Sequence, residues 1–248
     1  VDRGGDEPLA NDEPQEDLDG YVRIADGDGD GRFERDLGAH ERQPAAMPLP
    51  EGNVLVNPGA EAGLEGWAPE GAFAATAFGT IDGGAPLPSQ RAGEALGAGG
   101  RFFSGGVGAL SRLTQRVGLT ASAQQIDGGT ATAALSGLLG GYRADEDRVT
   151  VDAVFLDPDA TPISSVRIGP VAPADRANAT NLVPRSASTA IPPRTRAIDV
   201  VVTAERVGSD SEKYADGYAD NLGLVLSVPS VPSGPIVPGD PIVPDLKP

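Results

Sequence analysis

No cysteine occurs in this chain. A disulfide framework and a thiol nucleophile are therefore both excluded, and stabilisation beyond packing must come from a metal ion or from assembly. Histidine occurs once, as His40. A Ser-His-Asp arrangement would have to use it, and no Gly-X-Ser-X-Gly elbow is present. Phosphate-loop and dinucleotide fingerprints are missing as well. Asp and Glu are numerous, so composition does not exclude a two-carboxylate glycosidase, but they concentrate in tails and turns. The expectation is a protein that is not an enzyme. No run of 18 apolar residues exists, so no membrane-spanning helix is expected. No charged-then-apolar leader opens the chain, so an exported protein would be represented in mature or trimmed form. Aromatic residues make up only 4% and tryptophan occurs once, at Trp67. No platform for stacking sugar rings stands out.

Glycine (34) and proline (23) are abundant, which suits short strands joined by many turns better than a helical bundle. The net charge is −17, and the only lysines are Lys213 and Lys247. Such acidity disfavours nucleic acid and anionic lipid as partners and favours divalent cations.

The 248 residues divide into four parts by composition. Residues 1–19 hold eight acidic residues and little to bury, as in a disordered tail. Residues 20–52 hold a compact acidic loop and a proline-containing linker. Residues 53–227 carry the strand signals. Asn53–Val56 is short and apolar. Ala109–Leu119 alternates with a phase slip that reads as a bulge. Gly129–Leu139 is small and apolar. In Arg148–Leu156 the residues Val149, Val151, Ala153 and Phe155 share one face. Ile163–Ile168 alternates too, as does Ala197–Ala204 with Ile198, Val200 and Val202 inward, and Leu222–Leu226 closes the set. About eight strands with turn punctuation predict an all-β antiparallel sandwich with extended terminal tails. In residues 228–248 proline recurs at 229, 232, 235, 238, 241 and 244. That is the period of polyproline II, so the segment reads as a spacer or as an arm that docks in a groove.

Three stretches of the middle block resemble the galactose-binding-like jelly rolls of secreted bacterial proteins, a group that includes carbohydrate-binding modules. They are Asn53-Val-Leu-Val-Asn57-Pro-Gly-Ala-Glu61 with Trp67, then Arg148–Leu156 with Ser165–Val171, and Tyr218-Ala-Asp220-Asn-Leu. The resemblance implies that the first and last strands lie side by side. It also implies a structural calcium held by Glu61 and Asp220, with backbone carbonyls completing the six to eight oxygens that calcium takes. The family tends to bury a tryptophan at the position of Trp67. Phe102 and Phe103 are adjacent, so at least one is expected to face outward as a candidate ligand contact.

Asp26-Gly-Asp28-Gly-Asp30-Gly31-Arg32-Phe33-Glu34-Arg35-Asp36 matches the opening of an EF-hand-type loop. Asp26, Asp28 and Asp30 would present three carboxylates to one centre, Gly31 would make the sharp turn, and Arg32 would offer its carbonyl. Glu34 falls at loop position 9. Asp36 falls one residue short of the closing ligand position, where Leu37 stands. The flanks are too short for paired helices, so this is a lone loop of the dockerin-like kind. Calcium is the expected cofactor, at millimolar extracellular levels. The expected function is a calcium-stabilised structural protein, secreted or at the cell surface, that assembles with copies of itself through its terminal arms. The alternatives are a carbohydrate-binding module with a glycan partner and a spacer domain without a ligand.

Overall fold

The computed structural model describes residues 47–81, 87–208 and 213–229, and the backbone alone of residues 24–25, 34–35, 82 and 85–86. The acidic tail, most of the linker, and the segment 230–248 lie outside the described residues. So does the calcium-loop expectation for Asp26, Asp28, Asp30, Arg32 and Asp36, while Glu34 is described through its backbone. Two short strands close off the first eight residues of that loop, β1 (Ile24–Ala25) and β2 (Glu34–Arg35), paired antiparallel with Ala25 opposite Glu34.

The rest builds two five-stranded sheets from β3 (Ala68–Glu70), β4 (Ala74–Ala77), β7 (Arg101–Ser104), β8 (Leu110–Gly118), β9 (Thr132–Gly141), β10 (Arg148–Leu156), β11 (Pro162–Ile168), β12 (Asn181–Ala190), β13 (Ala197–Glu205) and β14 (Gly217–Ser227). One sheet runs β11-β10-β13-β8-β3 and the other β12-β9-β14-β7-β4. Every pairing between these strands is antiparallel. From β7 onward the chain changes sheet repeatedly, so consecutive strands such as β9 and β10 meet across the core. This is the all-β antiparallel sandwich predicted from the strand pattern. Among the described residues no helix is long and apolar enough to cross a membrane.

The alternation that predicted these strands is what fills the space between the sheets. Val149, Val151, Ala153 and Phe155 of β10 face Leu135 and Leu139 of β9 and Leu222 and Leu224 of β14, together with Ile198, Val200 and Val202 of β13. All are at most 1% exposed, and each large one removes enough apolar surface to contribute roughly 1.5–3 kcal/mol. The bulge expected in β8 is absent, since its register with β13 is continuous from Leu110 to Gly118. The phase slip has another cause: the apolar Leu110 is exposed on the outer face, while Ser111, Leu113 and Gln115 point inward. The Gln115 amide is matched by the backbone of Val56 and Gly66, accepting from Val56 N–H at 2.7 Å and donating to both carbonyls at 3.0 Å. A buried polar side chain with all partners present can occupy an apolar slot.

Between β4 and β7 an excursion carries a small hairpin, β5 (Ile81–Asp82) with β6 (Ala85–Pro86), and a short helix, α1 (Gln90–Ala95). Ser89 caps the helix by accepting from Ala92 N–H at 3.2 Å. The excursion covers part of the second sheet's outer face. Phe78, Leu87, Leu96 and Ala98 pack there on Phe102, Leu138, Leu182 and Tyr218, forming a second apolar layer. Gly93 has to be glycine, because a Cβ there would stand 3.0 Å from the Phe78 ring. On the other side of the domain, a second helix, α2 (Ala123–Asp127), receives the incoming chain. Leu49 is buried in the main core and its N–H donates to Gln125 Oε1 at 2.8 Å.

Candidate metal centre at the chain ends

The chain entering the sandwich runs beside the last strand, as the resemblance implied, but the strand expected over Asn53–Val56 is reduced to an isolated bridge at Asn53. Asn53 bridges Val225, Val54 N–H donates to the Leu224 carbonyl at 2.9 Å, and Leu222 N–H donates to the Pro58 carbonyl at 3.0 Å. Asn57 organises the turn that follows. Its amide donates to the carbonyls of Gly63 and Glu65 and its oxygen accepts from Ala62 N–H. Asn57 and Ala60 both take left-handed backbone conformations, with φ of 47° and 60°. Trp67 closes the turn by donating its indole N–H to the Asn57 carbonyl at 3.2 Å. The Trp67 ring is buried edge-on against Phe103, 5.5 Å between centroids.

This turn delivers Glu61 to the start of β7, where Oε1 accepts from Arg101 N–H at 2.9 Å. From the other side, β14 delivers Asp220. The register of β14 against β9 shifts between Asp220 and Gly223, and Asn221 takes a left-handed φ of 45° within the shift. Bulges of this kind re-aim side chains beside functional sites. Asp220 is fully buried. Its Oδ1 accepts from Asn221 N–H at 2.7 Å, while Oδ2 is buried with no hydrogen-bond partner. Burial pushes the Asp220 carboxyl up to about 7; the Asn221 bond opposes this and the nearby Glu61 charge adds to it.

Glycines make room for both carboxylates. A Cβ on Gly99 would collide with the Glu61 carboxylate, and one on Gly59 would come to 3.3 Å from Asp220 Oδ1. Burial of Asp220 with a lone oxygen, in a glycine-lined recess beside Glu61, opposes ionisation of the Asp220 carboxyl until a cation enters. The donor set is all oxygen, which suits calcium. The residues present therefore fit the ion that the resemblance implied.

Phe102 and Phe103 are not ligand contacts, because both are fully buried. β7 is an inner strand covered on both faces, so its two successive phenylalanines serve two cores. Phe103 joins Trp67 between the sheets, and Phe102 stacks on Phe78 (4.9 Å) and Tyr218 (5.3 Å) beneath the excursion. The expectation that one faces outward assumed a solvated outer face.

A third acidic group was not anticipated from the sequence. Carboxylate oxygens of Asp145, Asp147 and Asp216 lie within 4.8 Å of one another. Asp147 is buried, and accepts from Val207 N–H at 2.7 Å and from Asp216 N–H at 2.6 Å. Beside it the buried Arg176 donates to the carbonyls of Arg143, Ala179 and Asp145. These bonds tie the 142–147 turn to the loops before β12 and β14. The two carboxylates that meet from 69 residues apart left no local signal.

No family model matches the chain, and no curated protein matches it. Solved structures that it resembles include a family 16 carbohydrate-binding module, 17% identical over 70% of this chain and 99% of that one, with a TM-score of 0.45. Another is the enzymatically active domain of bacteriophage CBA120 tailspike protein 4, 14% identical over 71% of this chain and 21% of that one, with a TM-score of 0.42. A third is a cyclase from Fischerella sp. TAU, 10% identical over 71% of this chain and 97% of that one, with a TM-score of 0.43. This chain thus spans about a fifth of the tailspike domain and nearly all of the other two. A shared outline does not carry a shared activity, and the fold assignment rests on the strand pairing described above.

Proposed function

We propose that this chain is a non-enzymatic, calcium-clamped β-sandwich that serves as an extracellular structural subunit. The observation that carries the reading is the buried Asp220 carboxylate, whose Oδ2 has no partner, placed beside Glu61 where the two ends of the domain meet. A calcium ion there would neutralise both carboxylates and join the start of the domain to its last strand, the task a disulfide performs in chains that have cysteine. Glu61 and Asp220 would hold it. The Asp26–Asp36 loop is proposed as a second calcium site, its first eight residues closed off by the β1–β2 pairing of Ala25 with Glu34. The extracellular placement follows from the calcium supply such sites need. Calorimetric titration of the full chain with calcium should show two classes of site. Asp220→Asn should remove one and Asp28→Asn the other. An unchanged titration in Asp220→Asn would falsify the clamp.

A second reading, a carbohydrate-binding module, has one supporting observation. The outer face of the first sheet forms a trough of about 510 Å³ lined by Arg112, Arg148, Thr150, Asp152, Arg167 and Thr203 among others. Its lining holds no aromatic ring, so a glycan there would be held by hydrogen bonds, with guanidinium forks and carboxylates on its hydroxyls. Glycan-array binding that disappears in Arg148→Ala would favour this reading; no signal on the array would remove it.

A further inference from the structure

On the outer face of the second sheet a groove of about 410 Å³ lies between the β5–β6 excursion and the paired segments around Val107 and Tyr214. Its rim is aliphatic and aromatic. Ile81 is 71% exposed, Val107 59% and Tyr214 38%. Its floor is polar: Thr76 and Ser104 share a hydrogen bond of 2.7 Å, and the buried Tyr218 donates to Asp216 at 3.0 Å. Large apolar side chains kept in water around a concave site mark a binding surface rather than a random exposure.

We propose that this groove receives the proline-rich segment 230–248 of a second copy of the chain, joining copies head to tail. The inference rests on the reading of the chain as a structural subunit and names its partner surface. Grooves rimmed by apolar and aromatic groups are the usual hosts of polyproline II segments. In this segment the pairs Ile236-Val237 and Ile242-Val243 are six residues apart. That is two polyproline II turns, about 19 Å, so Ile236 would align with Ile242 and Val237 with Val243 on the two edges that the prolines leave, where they can meet the apolar rim of one groove. A polyproline II rod would already be extended before it binds, which would reduce the ordering entropy.

The position of the exit selects a neighbour's groove over the chain's own. The groove lies at the Gly217 end of β14, and the chain leaves β14 at Ser227. Those ends are roughly 33 Å apart along an 11-residue strand. The segment starts at the pole opposite its groove, so a copy stacked end to end presents the groove where the segment emerges. The contact joins two different surfaces, and such contacts repeat into open chains of subunits.

Sedimentation velocity of the full chain in saturating calcium tests this. Mass should grow with concentration. The truncation ending at residue 229 should remain monomeric. Val107→Asp and Ile81→Asp, both at exposed positions, should keep the wild-type melting temperature and need at least tenfold more protein for half assembly. Mixing the truncation, which keeps a groove, with Val107→Asp, which keeps a segment, should give a 1:1 dimer that grows no further. A full chain that stays monomeric at all concentrations overturns the proposal. So does growth lost on truncation but kept in both groove variants, which would place the segment elsewhere. Failed assembly with calcium-dependent melting intact counts against the groove alone. Lost calcium response with assembly intact counts against the clamp alone.

Discussion

Replacing Asp220 by Asn should stabilise the calcium-free protein at neutral pH, although it removes a buried native group. The folded carboxyl titrates at about 7 against 3.8 for an ordinary aspartate. A raised acid favours the folded state when it is protonated. Its contribution is fully present below about pH 4 and is lost as pH rises through about 7. The shift is about three units, and at about 1.36 kcal/mol per unit the ionised group penalises folding by about 4 kcal/mol at pH 8. Asn has the shape of the protonated acid and keeps an oxygen for Asn221 N–H, so it escapes the penalty. Urea unfolding in EDTA, for wild type and Asp220→Asn between pH 4 and 8, isolates this group, because other titrations cancel in the difference. The variant should match wild type near pH 4 and exceed it by up to about 4 kcal/mol near pH 8. Calcium should close the gap, because binding stabilises wild type alone, by about 2.7 kcal/mol at 100 times the dissociation constant and about 4.1 kcal/mol at 1,000 times, so the order reverses only above the latter level. A flat difference from pH 4 to 8 in EDTA would refute the reasoning, and with it the claim that Asp220 is an unmatched buried carboxylate.

Further predictions concern the surroundings of this site and the two cores. Gly99→Ala should leave the calcium-free fold intact but weaken the Glu61–Asp220 site at least tenfold in calorimetry, because the new Cβ displaces the end of the flexible Glu61 side chain. Phe102→Ala and Phe103→Ala should each cost about 3–5 kcal/mol in chemical unfolding, since both rings are fully buried; a loss near zero would contradict the two-layer packing. Asp147→Ala should cost about 2–4 kcal/mol by leaving the Val207 and Asp216 N–H groups without their acceptor. Hydrogen exchange should then rise at those two amides before the rest of the domain.

The alternating strands were legible because burial on one face imposes a period of two. Arg148–Leu156 and Ala197–Ala204 appear almost to the residue as β10 and β13. β12 was missed: its burial alternates, but its inner positions include Arg185 and Thr189, so hydrophobicity does not trace the period. The phase slip in β8 was visible and its reading as a bulge was wrong: Leu110 is exposed, and the inner positions beside Leu113 hold Ser111 and Gln115, the latter matched by partners 49 and 59 residues away. Phe102 was misplaced for a related reason. Nothing near it in sequence shows that residues 78–100 fold over the outer face of its sheet.

By itself the sequence determined that this chain forms an antiparallel sandwich without disulfides, and that Glu61 and Asp220 belong to segments flanking its two ends. The sandwich follows from local periodicity, turn chemistry and composition, and the placement of Glu61 and Asp220 from the resemblance of their segments to galactose-binding-like jelly rolls. The tertiary structure decided that Asp220 is buried with a lone oxygen beside Glu61, that both phenylalanines are core, that Asp145, Asp147 and Asp216 meet, and that a groove opens at the pole opposite the chain exit. Each depends on which strands become neighbours, and in an antiparallel sandwich that choice is made by packing between residues far apart in the chain.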